Sequence, residues 1–170
     1  MSYLTLDVAT YYTGYAIFTT PPQVFLTHLG LLKGKKYLEW DTRGMHIASC
    51  CMDLVKRHNI GAVLMEFPSF QGGVRGEIAA REGVTIKLAW LCGIIEGRLS
   101  LPVTKVTFNQ WNGQVPKDVT CKRFTEIFKL DVDPRSIQNN YVDAAMMGVW
   151  FFRRQGIEPR PSKHIIIRHY

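Results

Sequence analysis

LTLDVATYYTGYAIF, residues 4–18, sets a carboxylate at the end of one apolar run and follows it with a turn and a second apolar run. Leu4, Leu6 and Val8 alternate with Thr5 and Asp7, the period-two pattern of a strand. Asp7 therefore leaves the face opposite the leucines, near the strand's C-terminal end. Two readings compete. An Asp commonly closes a strand by hydrogen-bonding the following turn, and the carboxyl ends of strands in open α/β sheets are where ligands bind. Asp7 alone does not separate them; its partners must.

Working outward, residues 2–9, 14–20 and 24–33 read as three successive strands, divided by ATYYTG and by Pro21-Pro22 as in a meander. A helix follows over about 37–58, with Ile47, Cys51, Leu54 and Val55 on one stripe and Asp53, Lys56 and Arg57 on the other face. Asn59 and Gly61 close it, and IGAVLMEF makes a fully buried strand. SFQGGVRGE, residues 69–77, is a polar, Gly-rich loop. The segment 78–99 reads as a helix apolar nearly all round, which places it either at the centre of the core or against another subunit. PVTKVTF is a strand, NQWNGQVPKD a loop and VTCKRFTEIFKL a short basic helix. A last helix spans about 137–154, and the basic tail EPRPSKHIIIRHY carries a candidate short strand at its end.

Glu66 repeats the situation of Asp7. It ends the run Ala62–Met65, apolar on both faces as an inner strand should be, and a carboxylate there is costly unless a cation or hydrogen-bond donors receive it. Asp143, in NNYVDAAMMGVW, opens the last helix three residues after Asn140, so the two share one helical face. One open sheet can bring Asp7, Glu66 and Asp143 together. Converging carboxylates repel, and a divalent cation resolves the repulsion. Oxygen-only ligands indicate Mg²⁺ or Mn²⁺ rather than zinc, and two such ions about 4 Å apart clamp the attacking and leaving oxygens of a phosphodiester.

The order of these motifs resembles that of the RuvC-type Holliday junction resolvases of the ribonuclease H-like superfamily. Asp stands on strand one, Gly14 leads into strand two, Glu closes a later inner strand, and D-A-A opens the final helix. The resemblance covers nearly the whole chain, with a length that suits a phage or bacterial resolvase. It implies an α/β fold with a mixed sheet in the order β-β-β-α-β-α-β-α, helices on both faces, and a single nuclease domain over residues 1–170 with a basic tail. It also implies Asp7, Glu66 and Asp143 as catalytic, metal-binding residues, Mg²⁺ or Mn²⁺ as cofactor with two ions per site, a homodimer that cuts two strands symmetrically, and branched DNA such as a four-way junction as partner. The family usually has an acidic or imidazole ligand three residues before the last Asp, where this chain has Asn140. An amide oxygen coordinates cations, but one negative charge is lost. A native site that tolerates the amide, a change introduced to disable the enzyme, and lost activity all account for it.

The same resemblance places an intruding aromatic in the loop after Glu66, which points to Phe70 stacking on an unpaired base. Phe67, adjoining the strand, is assigned to the core. Lys105, Lys117, Lys122 and Arg123, with Arg75 and Arg81, are candidates for phosphate contact, although a solvated charged face explains most lysines. His46, His58 and His164 lack ligand spacing. Cys50, Cys51, Cys92 and Cys121 form no C-x-x-C pair and read as small buried hydrophobes.

Composition agrees. In 170 residues, 21 Lys and Arg against 14 Asp and Glu give +7, which favours a polyanionic partner. No apolar run reaches the roughly 18 residues of a membrane span, and the N-terminus lacks a signal-type segment. The expectation is a soluble protein of the bacterial or phage-infected cytoplasm. A non-catalytic binder of branched or single-stranded nucleic acid is the alternative function. A nucleotide-binding relative of the actin and sugar-kinase type, suggested by LDVATYYTG, needs a duplicated domain that 170 residues cannot hold.

Overall fold

The computed structural model describes residues 1–35, 37–69, 77–78, 81–131, 133–134 and 137–170. Its strands are β1 (Ser2–Asp7), β2 (Tyr12–Thr19), β3 (Phe25–Lys33), β4 (Ile60–Glu66), β5 (Val103–Val106) and β6 (Arg160–His169). Its helices are α1 (Trp40–Arg57), α2 (Val84–Arg98), α3 (Phe108–Trp111), α4 (Lys117–Phe128) and α5 (Asn139–Arg153). One mixed sheet runs β5-β4-β1-β2-β3-β6. β1 pairs antiparallel with β2 and parallel with β4, so the strand carrying Asp7 lies where the sheet changes sense.

Alternation along β1 divides the core. Leu4 and Leu6 point to one face, where Ile47, Cys51 and Leu54 of α1 meet Leu91, Cys92 and Ile95 of α2. Tyr3, Thr5 and Asp7 point to the other, which α5 covers. Tyr3 packs edge-on against Phe152 near the end of α5, and the Thr5 hydroxyl donates to the carbonyl of Ala144 at 2.8 Å. The helix therefore runs antiparallel to β1 and brings its first turn to Asp7. Phe124 and Phe128 of α4 complete this second core.

Four sequence expectations are corrected. The helix expected over 78–99 is interrupted: Gly83 takes a left-handed conformation (φ 66°) and caps α2, which starts at Val84. A continuous apolar pattern does not reveal a break that only one glycine's backbone produces. The loop expected at NQWNGQVPKD contains the end of α3. Gly61 lies within β4, leaving Asn59, at φ 48°, to turn the chain out of α1. The tail forms the ten-residue edge strand β6, parallel to β3. Its pairing shifts register between Leu26 and His28, which hides the alternation a strand normally displays.

Candidate active site

Asp7 and Glu66 end two adjacent parallel strands, and both face α5. On β4, Val63 and Met65 enter the α1–α2 core while Leu64 packs with Met147 of α5, so Glu66 shares the side of Leu64. Asp143 comes to them because α5 lies unusually close to β2. Gly14 is the partner of Asp7 in the β1–β2 ladder, and a Cβ built on it would fall onto the backbone carbonyl of Asn140. The missing side chain at Gly14 is thus what lets the first turn of α5 reach the strand ends.

Each carboxylate has its own donor. The side chain of Asn140 hydrogen-bonds Asp7. The indole Nε1 of Trp111 donates to Glu66 Oε2 at 2.7 Å, and Lys117 Nζ donates to Asp143 Oδ2 at 3.3 Å. The Asp143 side chain is only 10% exposed, against 61% for Lys117, so the lysine reaches in from the rim. Burial pushes the Asp7 carboxyl well above the usual range, and the charges of Glu66 and Asp143 push it further; Lys117 and the Asn140 hydrogen bond oppose them. Burial lifts Glu66 to about 6, against the Trp111 bond. Asp143 is raised by burial and partly relieved by Lys117. Crowded carboxylates in a low-dielectric site leave a demand for positive charge.

Among the described residues, no three His, Cys, Asp or Glu side chains are already closed around one point as ion ligands; Trp111 and Lys117 each bond one of the carboxylates. The donor set nevertheless fits a hard cation: three carboxylates and one amide, all oxygen donors on one side of the sheet. Asn140 lies inside the first turn of α5, whose N-cap is Gln138 rather than Asn140.

The expected DNA contacts divide. Lys117 and Lys122 border a cavity of about 580 Å³ with Asp118, Asp133 and Asn139 beside the acidic cluster. Lys122 also approaches Glu126 at 4.0 Å. Arg123 rims a separate cavity of about 410 Å³ with Trp111, Trp150, Arg153 and Arg154. Arg81 is exposed ahead of α2. Lys105 lies on the opposite face of the sheet from Glu66, bonded to Glu96 of α2 at 2.9 Å. Phe70 and Arg75 fall outside the described residues. Phe67 packs against the α1–α2 core. Cys51, Cys92 and Cys121 are buried, Cys50 partly so, and all four are free thiols. Sequence reasoning missed Trp111 altogether and missed that Lys117 pairs with a carboxylate.

Comparison with known proteins bears on the fold. No protein-family model matches the chain, and no curated protein matches it. Among solved structures, Thermus thermophilus RuvC in complex with a Holliday junction substrate superposes with a TM-score of 0.68 at 17% identity, covering 93% of this chain and 98% of that one. The yeast mitochondrial Holliday junction resolvase Ydc2 gives 0.61 at 14% identity, covering 91% and 78%. The fowlpox virus Holliday junction resolvase gives 0.54 at 13%, covering 91% and 99%. The chain has the ribonuclease H-like fold of the RuvC-type resolvases. No described helix is long and apolar enough to cross a membrane.

Proposed function

We propose that this chain is a metal-dependent, structure-selective endonuclease that hydrolyses phosphodiesters in Holliday junctions or other branched DNA. The observation that carries the reading is the meeting of Asp7, Glu66 and Asp143, close enough that the other two raise Asp7, on a fold shared with a resolvase bound to a junction. Residues 1–170 act as one nuclease domain.

In this reading Asp7, Glu66 and Asp143, with the amide oxygen of Asn140, would hold Mg²⁺ or Mn²⁺, two ions per site. When bound, the ions supply activation of water and neutralisation of the leaving oxygen. The chain supplies the rest. Burial keeps water from screening the carboxylates, and the Asn140 side chain favours the ionised form of Asp7. Lys117 stands at the exposed rim beside Asp143, where its ammonium meets a phosphate entering the site. Lys122, Arg123 and Arg81 would take flanking phosphates; Phe70 and Arg75, outside the described residues, are assigned to junction contact by the sequence resemblance alone. Lys105, engaged by Glu96 on the far face, is given no phosphate.

The homodimer is supported by α2, which buries Leu91, Cys92 and Ile95 but leaves Val84 and Ile86 exposed. Two copies joined there would present two sites to two strands. The test is incubation with labelled four-way junction, flap and linear duplex DNA, with Mg²⁺, with Mn²⁺ and with chelator. Metal-dependent cutting of branched DNA in preference to duplex is expected. Binding without cutting in either metal would refute the nuclease and favour the non-catalytic binder.

A further inference from the structure

Trp111 is 8% exposed, and its placement is over-determined. The helix carrying it is four residues long, begun by a reciprocal cap in which Thr107 N donates to Gln110 Oε1 at 2.7 Å. Past it, Asn112 Nδ2 donates to the carbonyl of Val115 at 3.0 Å, and Thr120 of α4 donates to Asn112 Oδ1 at 3.2 Å. The indole packs with Leu64, Val106 and Met147 and stands edge-on to Phe108 at 5.5 Å. A four-residue helix contributes little stability of its own. Here it delivers one N–H to one carboxylate oxygen.

An indole N–H only donates, and a hydrogen bond to an ionised acceptor is among the stronger ones. It therefore occupies one of the two lone-pair sites of Glu66 Oε2 and leaves Oε1 free of this bond, with both of its own. We propose that Trp111 is the positioning residue of the active site, holding Glu66 so that it offers a divalent cation one oxygen in a fixed direction. The proposal rests on the metal-dependent reading above. Partners of metal-binding side chains are worth roughly 10–100-fold in metal affinity.

The test measures Mn²⁺ binding directly, by calorimetry without DNA, for the parent, Trp111→Phe, Trp111→His and Phe108→Leu. Trp111→Phe keeps an aromatic ring and removes the donor; about tenfold weaker Mn²⁺ binding is expected. Trp111→His, whose ring N–H can donate, should recover part of the loss. Phe108→Leu disturbs the same packing with the donor intact and should bind Mn²⁺ as the parent does. In the parent itself, the indole N–H resonance of Trp111 should move on Mg²⁺ addition while those of Trp40, Trp90 and Trp150 stay, a readout that needs no variant to fold. Unchanged Mn²⁺ affinity in Trp111→Phe, an equal loss in Phe108→Leu, or a stationary Trp111 resonance would each overturn the proposal. A parent that shows the whole Mn²⁺ pattern and cuts no junction would instead overturn the nuclease reading and leave the role of Trp111 standing.

Discussion

Glu66→Gln is expected to stabilise the protein at pH 8 while abolishing cleavage. Burial holds the Glu66 carboxyl at about 6, above its ordinary 4.5. The unfolded chain releases that proton near the ordinary value, so between roughly pH 4.5 and 6 the folded state binds more protons than the unfolded one. Stability then falls as pH rises through this window and stays lowered above it. At 1.36 kcal/mol per pH unit the ionised form costs about 2 kcal/mol. Gln has the same shape, keeps an oxygen for the Trp111 N–H and carries no charge. For a chain of this size a kcal/mol moves the melting temperature by about 2–4 °C, so a rise of several degrees at pH 8 is expected. The assay is thermal denaturation of parent and variant in chelator from pH 4 to pH 8, where the difference should open across the window and vanish below it. Equal melting temperatures at pH 8, or a gain that persists at pH 4 where both side chains are neutral, would refute the electrostatic account.

Three further outcomes follow from the same geometry. Asp7→Asn should remove cleavage and retain junction binding, with a melting temperature in chelator at or above the parent's, because Asp7 is raised by burial and by two neighbouring carboxylates; turnover near the parent's level would make Asp7 a strand-end residue. Gly14→Ala puts a methyl against the Asn140 backbone and should cost about 1–3 kcal/mol by overpacking, with cleavage falling further than stability accounts for, since the first turn of α5 must move; full activity would show that Asp143 need not lie so close. Asn140→Asp replaces the donor to Asp7 with a charge, worth up to about 4 kcal/mol at 4 Å and an effective dielectric of 20 before desolvation is subtracted, so it should destabilise the protein in chelator and lower the Mg²⁺ concentration needed for half-maximal cleavage; identical metal dependence would mean that Asn140 stands outside the cation site.

The acidic residues were legible because each breaks a pattern. Asp7 and Glu66 end apolar runs whose alternation is visible, and Asp143 opens a helix with a clear apolar face. The elements that orient them were not legible, for physical reasons. Four residues of helix, as at Phe108–Trp111, contain hardly more than one turn and show no period. Nothing near Trp111 in sequence indicates a carboxylate 45 residues earlier in the chain. Gly14 reads in the sequence as a turn residue, while in the fold it lies in β2 opposite Asp7 and admits the Asn140 backbone. Lys105 and Lys117 look alike in a list of cations; the register pairing Met65 with Lys105 puts the first on the far face, and the start of α4 puts the second among the acids.

These differences bear on how a chain with net charge +7 can hold its acids where they repel. The cost of gathering Asp7, Glu66 and Asp143 falls on the strand ends, so the structure directly beneath must resist relaxing. Thr5, two residues below Asp7 on the same face, bonds Ala144, the residue after Asp143. Leu64, two residues below Glu66, packs with Trp111 and Met147. The strand and helix bearing the acids are therefore tied one step away from the charges, by bonds and contacts that do not depend on protonation. Protonating or neutralising a carboxylate should change stability without moving the backbone, and for that reason the charge-removing variants test chemistry where Gly14→Ala tests geometry.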